Sequence, residues 1–335
     1  QLIAAGGEII KTASDSDAPI TDILDEAERR VFNISMKKNE DTMVPVDKSA
    51  LEAYMRIGEL MKTKGEISGV PTGFKELDEL TSGLQKGDLI IVAARPSVGK
   101  STFAMNIAEY AATAANKKVA VFSLEMSKEQ VVMRIMASES GVNMQKLRTG
   151  ELGATEILKI ADRFNTVGEA KILIDDTPGV TVAEVRSKCR RIQAIHGLDV
   201  VIIDYLQLMQ SAKSQDSRVL EISAMTRALK ILARELNVAV VVLSQLSREP
   251  DKRKDHTPLM SDLRESGSIE QDADVIMFIY RDVVYNKETV DKNLAEIIVA
   301  KQRNGPIGTL RMTFLGGNTR FEPSADAGYW GGIEE

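Results

Sequence analysis

The sequence predicts an α/β protein with a mainly parallel, doubly wound sheet, preceded by a short helical segment. Six apolar runs alternate with helical patterns from about residue 74 to residue 280. The runs are apolar at successive positions rather than at every second one, which indicates strands that are covered on both faces. Helical patterns between the runs favour crossover connections, and hence parallel pairing.

The composition is that of a globular protein. The 335 residues include 43 Lys and Arg against 49 Asp and Glu, so the net charge is −6, and 43% of the residues are hydrophobic. These values argue against disordered, collagen-like and disulfide-scaffold proteins. The single cysteine, Cys189, cannot form an internal disulfide, so we expect a cytoplasmic protein. The apolar runs are much shorter than the roughly 18 residues that a membrane helix needs, so we expect no membrane association.

The first 65 residues predict helices without a core of their own. Residues 20–34 and residues 47–62 each place apolar side chains at helical spacing, for example Leu24 on the first helix and Leu51 on the second. Such faces must pack on the large domain or on a neighbouring subunit, and the pattern leaves both alternatives open. We predict two domains, 1–65 and 66–335. The chain opens QLIAAGGEII without an initiator Met, so we expect it to be cut from a longer sequence.

The large domain predicts its elements in a regular order. A final pair of apolar runs within residues 295–315 is joined by Asn304, Gly305 and Pro306, which predicts an antiparallel hairpin added at the sheet edge. The predicted strands are 88–94, 118–125, 171–176, 199–204, 237–245 and 274–280, and the predicted helices between them include 101–115, 127–140, 180–195 and 218–236.

The segment ARPSVGKS, residues 94–101, lies between the first predicted strand and the helix after it. It matches a P-loop in which Ala94 replaces the first glycine, a small side chain that should be tolerated. Gly99 lets backbone N–H groups face phosphate oxygens, Lys100 adds a positive charge, and the Ser101 hydroxyl can bind Mg²⁺. A lysine that merely ends a strand-to-helix turn would leave this run unexplained. The predicted cofactor-binding residues of the segment are Ser97, Gly99, Lys100, Ser101 and Thr102.

Two acidic residues come after buried strands and complete the predicted site. Asp204 ends the run VVIID, as the Walker B aspartate of P-loop proteins does, and can converge with Ser101 because ligands bind beyond the carboxyl ends of parallel strands. Glu125 ends the run after the P-loop helix, where a carboxylate can polarise the attacking water. Each has an alternative as a helix cap, Asp204 for an unspecified helix and Glu125 for the helix near Ser127.

Gln245 ends another predicted strand, where its amide could bond the γ-phosphate and report its presence to the next segment of the chain. That segment is long and polar and contains five basic residues in an acidic chain, a footprint expected for contact with a phosphate backbone. A solvated surface loop is the alternative on charge alone. The five residues are Arg248, Lys252, Arg253, Lys254 and Arg264.

Together the motifs resemble one family. ARPSVGKS, FSLEMS, VVIIDYLQLM, LSQLSR, SDLRESGSIEQDADVI and IVAKQRNGP occur in the order and approximate spacing of the bacterial replicative DNA helicases of the DnaB type, which have a RecA-like ATPase core. The resemblance runs from about residue 66 to 325. Residues 20–62 resemble the end of the family's N-terminal domain and its linker helix, which implies that the preceding helical hairpin is missing.

The resemblance implies a role for each predicted ATP-site residue. Lys100 and Ser101 would bind phosphate and Mg²⁺, with ATP as the nucleotide, and Asp204 would be the Walker B ligand. Glu125 would be the catalytic base and Gln245 the γ-phosphate sensor. Arg134 would stack on the nucleotide base.

The resemblance also implies an assembly and its partners. Arg264, Glu265 and Gly267 would hold successive phosphates of single-stranded DNA inside a homohexameric ring. Arg303, with Lys301 beside it, would reach the ATP of the adjacent subunit. Unwinding in the 5′ to 3′ direction, a primase partner and a helicase loader are further implications of the family.

Two other classes share part of this pattern. A RecA-like recombinase would form a filament on DNA, but it does not predict the run RESGSIEQDAD. A non-hydrolytic nucleotide switch would bind ATP without needing Glu125 and Arg303 together.

Overall fold

The computed structural model describes residues 2–15, 19–36, 45–62, 67–210 and 217–324. The chain divides into two compact units, Gln1–Glu66 and Ile67–Glu335. No helix of the described ranges is both long and apolar enough to cross a membrane. The helices of these ranges are α1 (Leu2–Asp15), α2 (Ile20–Met36), α3 (Val46–Lys62), α4 (Lys75–Thr81), α5 (Lys100–Thr113), α6 (Lys128–Ser140), α7 (Met144–Thr149), α8 (Ala154–Glu169), α9 (Val182–His196), α10 (Arg218–Leu236) and α11 (Gly267–Asp272).

The larger unit is built on one nine-stranded sheet in the order β3-β2-β4-β5-β1-β6-β7-β8-β9. The first six strands pair in parallel, which confirms the predicted doubly wound sheet, and each lies within about two residues of its predicted bounds. The strands are β1 (Leu89–Ala94), β2 (Val119–Ser123), β3 (Ile172–Asp175), β4 (Val200–Asp204), β5 (Ala239–Gln245), β6 (Val275–Tyr280), β7 (Leu294–Gln302), β8 (Gly308–Leu315) and β9 (Arg320–Pro323).

The sheet separates two hydrophobic clusters. Alternate residues of one strand point to opposite faces, so Ile90 and Val92 of β1 join one cluster, whereas Leu89 and Ile91 join the other. The first cluster includes side chains of α4, α5 and α6, and the second those of α9, α10 and α11. Helices on both faces explain why the strands are apolar at successive positions.

The predicted hairpin is confirmed as β7 and β8, which pair antiparallel and extend the sheet beyond β6. A third antiparallel strand, β9, forms the edge itself and was not predicted. Its Phe321 is 2% exposed and meets Phe103 of α5 edge to face, with ring centroids 5.5 Å apart. Strand β9 is therefore tied to the helix that comes after the P-loop.

The segment between α6 and β3 was not assigned from the sequence and forms α7 and α8. The side chain of Asn143 begins α7 by accepting a hydrogen bond from the Gln145 amide at 2.8 Å. Helix α8 has no buried residue and exposes Ile157, Leu158 and Phe164. It packs on the first hydrophobic cluster through the partly buried Val167.

The smaller unit contains the two predicted helices, α2 and α3, and the unpredicted α1. Helix α1 contacts α2 through an ion pair between Glu8 and Arg30. On α3, the apolar side chains of Leu51, Tyr54 and Met55 are 61%, 75% and 63% exposed. The packing of this face on the large domain or on a neighbouring subunit stays a prediction.

Replacing Phe103 with alanine should lower the free energy of unfolding of the larger unit by about 3–5 kcal/mol. Phe103 is fully buried and stacks on Phe74 with ring centroids 5.2 Å apart, so its removal leaves a cavity beside Phe74 and Phe321 of β9. The matched control is Phe164→Ala on α8, because that ring is 65% exposed and should cost less than about 1 kcal/mol. Urea denaturation followed by circular dichroism measures both, and equal losses would contradict this account of the core.

Candidate nucleotide-binding site

The P-loop segment forms a tight turn between β1 and α5. Gly99 directly precedes α5 and has φ +114°, a conformation that favours glycine. A Cβ on Gly99 would lie 3.1 Å from ring carbons of both Phe314 and Phe321. Ser97 has φ +65° and is exposed, whereas Thr102 is buried on α5. The backbone N–H groups of the first turn of α5 are thus presented at the end of the central strand.

The loop is supported from the hairpin side by a residue that sequence analysis missed. Arg281 comes directly after β6, and its Nη1 donates to the carbonyl of Val98 at 3.5 Å. Its guanidinium lies 4.0 Å from the ring centroid of Phe314, and burial lowers its pKa. A cation packed in this way helps to fix the P-loop backbone.

Lys100 projects from the start of α5 toward the end of β4. Its Nζ lies 4.8 Å from the centroid of the Tyr205 ring. Burial lowers the pKa of Lys100, and the carboxylates of Asp204 and Glu125 partly offset that shift. These three charged side chains therefore lie in one electrostatic environment, although they come from three separate segments of the chain.

Asp204 is buried at the carboxyl end of β4, with 1% of its surface exposed. Neither carboxylate oxygen has a hydrogen-bond partner among the described residues, so the helix-cap alternative is wrong. Burial raises the pKa of this carboxyl, whereas the Ser101 hydroxyl and the Lys100 ammonium act to lower it. Sequence analysis predicted that Ser101 and Asp204 converge, and the structure confirms that they do.

This pair of oxygen donors fits a hard divalent cation. Mg²⁺ prefers carboxylate, hydroxyl and water oxygens, and Asp204 presents two buried oxygens that no described donor satisfies. A buried carboxylate without a partner is costly, and a bound cation would remove that cost.

Glu125 lies just beyond β2 on the same edge of the sheet. Two residues before it, Ser123 pairs with Asp204, and the Leu124 amide donates to the Asp204 carbonyl at 2.8 Å. Helix α6 is capped by Ser127 and Gln130, so the alternative of Glu125 as its cap is wrong. Glu125 is exposed and faces the site.

Gln245 ends β5 beside the P-loop, in register with Ala94 of β1. Its backbone amide donates to Oε1 of Gln207 at 3.2 Å. Gln207 is a second residue that sequence analysis missed: it lies within the motif VVIIDYLQLM, in a short 3₁₀ turn, Leu206–Leu208, but its contact with Gln245 joins segments that are distant in the chain. Arg134 of α6 completes this side of the site, since its guanidinium acts to lower the pKa of Asp204.

Lys301 and Arg303 lie where the parallel strands begin, whereas the P-loop lies where β1 ends. Gln302 pairs with Val275 at the start of β6, and the Arg303 amide donates to the carbonyl of Asp274 at 2.9 Å. This edge is about 17 Å from the P-loop along β1, at about 3.3 Å per residue. The structure therefore does not bring these two cations to the P-loop of their own chain.

Both cations bind the C-terminal end of α11. Lys301 Nζ donates to the carbonyls of Glu270 and Ala273, the latter at 2.7 Å, and Arg303 donates to the carbonyl of Gln271. The Arg303 Nε also lies 3.6 Å from the buried carboxylate of Asp274. Burial lowers the pKa of Lys301, and the charge of Arg303 lowers it further.

The basic segment after β5 is only partly available for contact with a phosphate backbone. Arg253 makes two hydrogen bonds of 2.8 Å to the buried carboxylate of Asp262, which engage its guanidinium, and its part in that footprint stays a prediction. Lys252 pairs with Glu249 at 2.8 Å, and Arg248 and Lys254 are exposed. The side chains of Arg264 and Glu265 and the surroundings of Gly267 lie outside what the structure describes.

A P-loop after the central strand of a parallel sheet, with an acidic residue ending a nearby strand, defines a P-loop ATPase with a RecA-like core. Residues 69–323 match the family model described as the DnaB-like helicase C-terminal domain, and the chain therefore belongs to the DnaB-like helicases. This finding decides against the recombinase and nucleotide-switch alternatives and makes the chain an ATP-dependent DNA helicase of the replicative type.

Similar proteins and solved structures support the same family assignment. The replicative DNA helicase DnaB of Pasteurella multocida is 51% identical over 333 residues, which are 97% of this chain and 71% of that protein. The DnaB of Geobacillus stearothermophilus is 48% identical over 316 residues, 94% of this chain and 70% of that protein. A solved DnaB-like replicative helicase, described with its interactions with primase, is 36% identical with a TM-score of 0.85 and covers 96% of this chain and 75% of its own. A solved ATPase domain is 38% identical with a TM-score of 0.80 and covers 84% and 99%.

Replacing Gly99 with alanine should weaken nucleotide binding by about 5- to 150-fold, because φ +114° strains a residue with a Cβ by about 1–3 kcal/mol. The two phenylalanine rings at 3.1 Å oppose relaxation of the new methyl group. Gly141→Ala is the matched control, since Gly141 also has positive φ but meets nothing within 4 Å. Calorimetric titration with ADP measures both, and native affinity in Gly99→Ala would contradict this description of the loop.

Proposed function

We propose that the protein forms a homohexameric ring, hydrolyses ATP at its subunit interfaces, and translocates on single-stranded DNA to unwind duplex at the replication fork. The observation that carries the proposal is the position of Arg303. It lies at the opposite sheet edge from the P-loop of its own chain, whereas phosphoryl transfer needs a cation at the developing charge. A neighbouring subunit is the natural source of that cation.

The described residues support separate roles in binding the phosphates, the Mg²⁺ ion and the base of ATP. Lys100 and the first turn of α5, with Ser97 and Gly99 shaping the loop and Thr102 behind it, would hold the phosphates. Ser101 and Asp204 would hold Mg²⁺, which supplies charge neutralisation at the phosphates when bound. Arg134, on α6, would approach the nucleotide base.

Glu125 and Gln245 would serve the chemical step. Glu125 would orient a water molecule and accept its proton while the water oxygen bonds to the γ-phosphorus and the bond to the ADP oxygen breaks. The exposed position of Glu125 beyond β2 and its electrostatic contact with Lys100 and Asp204 support this role. Gln245, in register with the start of the P-loop, would bond the γ-phosphate.

DNA would be bound by Arg264, Glu265 and Gly267, as the family resemblance implies. Their backbone belongs to the 3₁₀ segment Met260–Ser266 and to the start of α11. At the C-terminal end of α11, backbone carbonyls accept hydrogen bonds from Lys301 and Arg303. Contact with successive phosphates would make binding independent of sequence and sensitive to salt.

The remaining assignments rest on relatives. We assign residues 1–65 to the end of the N-terminal domain and the linker helix, and residues 66–335 to the ATPase domain. The solved relative described with primase supports a primase partner. A helicase loader, 5′ to 3′ polarity and action at the nucleoid in the cytoplasm complete the proposal.

Replacing Glu125 with alanine should lower kcat for ATP hydrolysis by about 10²- to 10⁴-fold and leave ATP affinity within about threefold, because a general base acts on the chemical step. Asp204→Asn should also abolish hydrolysis, but with loss of the Mg²⁺ dependence of nucleotide binding. Steady-state hydrolysis with single-stranded DNA and titration of ATP at varied Mg²⁺ separate the two variants.

The matched control for this pair is Glu129→Ala. Glu129 lies four residues after Glu125 on the first turn of α6 and is fully exposed. It should hydrolyse ATP at the native rate. Native hydrolysis by Glu125→Ala would contradict its role as catalytic base.

Replacing Arg303 with alanine should lower hydrolysis by about 10³- to 10⁵-fold, as expected for loss of an arginine finger. Mixing Arg303→Ala subunits, which keep the P-loop, with Lys100→Ala subunits, which keep the finger, should restore measurable hydrolysis. A mixed interface can unite one intact P-loop with one intact finger. Native mass spectrometry reports subunit number and mixing, and a coupled assay reports hydrolysis.

Arg311→Ala is the control on the same hairpin, because Arg311 of β8 is an exposed arginine that lies 3.8 Å from Glu296. It should hydrolyse ATP at the native rate. Mixed rings without recovered hydrolysis would count against the trans role, and a native rate in Arg303→Ala alone would refute it.

A further inference from the structure

The carboxyl end of β5 has an unusual hydrogen-bond partner. The side-chain amide of Gln207 bonds both main-chain groups of Gln245: Oε1 accepts from the Gln245 N–H at 3.2 Å, and Nε2 donates to the Gln245 carbonyl at 3.3 Å. The orientation of this amide is set by chemistry, because an N–H of the backbone requires the oxygen to face it.

The sheet geometry explains why Gln245 needs this partner. Strand β4 pairs with β5 only as far as Ile203 and Val242, whereas β1 continues until Ala94 pairs with Gln245. The Leu246 amide donates to Ala94, so the N–H and C=O of Gln245 point to the other side, where β4 has already ended. The side chain of Gln207 supplies the two hydrogen bonds that a longer β4 would otherwise make to Gln245.

Gln207 is itself held in place. Its Nε2 also donates to Oγ of the buried Ser244 at 3.0 Å. Its carbonyl accepts from Nη2 of Arg218 at 2.6 Å, and Nη1 of the same guanidinium pairs with Glu221 at 2.8 Å. The turn after β4 is therefore fixed to both β5 and the start of α10.

We propose that Gln207 is a positioning residue for ATP hydrolysis, which holds the backbone of Gln245 so that its side chain meets the γ-phosphate. This inference rests on the proposed sensor role of Gln245. Gln207 acts through Gln245 and does not itself contact the nucleotide.

The expected effect falls on the chemical step rather than on nucleotide binding. Without Gln207, β1 alone among the described strands pairs with the last residue of β5, and misplacement of a reacting group by about 1 Å can cost about 10²-fold in rate. ADP lacks the γ-phosphate, so its affinity should not depend on Gln245 or on Gln207. A purely structural role would lower ADP affinity and thermal stability together with the rate.

The test is a double-mutant cycle on the full chain with ATP, Mg²⁺ and an oligo-dT strand. Gln245→Ala and Gln207→Ala should each lower kcat by about tenfold or more, with ADP affinity within about twofold of native. Adding Gln207→Ala to Gln245→Ala should change kcat by less than about twofold, because the two residues act as a unit. Gln207→Glu keeps the acceptor for the Gln245 amide and should recover part of the rate.

Gln210→Ala is the matched control, since Gln210 lies in the same segment and its side chain packs beside Gly179. It should keep the native rate. A native rate in Gln207→Ala, or losses that multiply in the double variant, would overturn the positioning role while the sensor role of Gln245 stands.

Two further outcomes are also decisive. A native rate in Gln245→Ala would refute the sensor role and this inference with it. Loss of ADP affinity or thermal stability in proportion to kcat in Gln207→Ala would reduce Gln207 to a structural residue. If Gln207→Ala does not fold, the cycle is run with Gln207→Met, which keeps the length of the side chain but neither hydrogen-bonding group, and is judged by the same criteria.

Discussion

Parallel pairing of β1, β2, β4 and β5 is the constraint on which the nucleotide-binding site depends. Strands that run in the same direction end at the same edge, so residues that come after different strands meet there. The register places Ser123 beside Asp204 and Ala94 beside Gln245. The segments that come after β2, β4 and β5 thereby meet the P-loop, and charges from different segments influence one another: Lys100 lies near both Asp204 and Glu125.

The same constraint removes Arg303 from this site. Strand β7 runs antiparallel to β6, so its end lies at the edge where the parallel strands begin. There α11 presents carbonyl groups to Lys301 and Arg303, and the buried Asp274 adds a carboxylate that also pairs with Lys230. The proposed action of Arg303 on a neighbouring nucleotide would require copies that contact head to tail, and such an interface closes into a ring when the rotation allows.

The site also combines strained and desolvated groups that the rest of the fold must hold. Gly99 has positive φ against two aromatic rings, and Asp204 is buried without a hydrogen-bond partner in the described part of the chain. Such features are unfavourable for folding and are concentrated where a protein binds its ligand. The cluster of Phe74, Phe103 and Phe321 stabilises α5 and β9 beside the loop.

The sequence by itself determined the parallel sheet, the P-loop and the positions of Asp204, Glu125 and Gln245, because local patterns encode them. Continuous apolar runs report burial on both faces, and a polar residue at the end of a run reports the sheet edge. Local patterns do not report partners that are distant in the chain. Only the tertiary structure decided that Arg253 is bound by Asp262, that α8 leaves Ile157, Leu158 and Phe164 exposed, and that Gln207 completes the ladder of β5, since each depends on which segments become neighbours after folding.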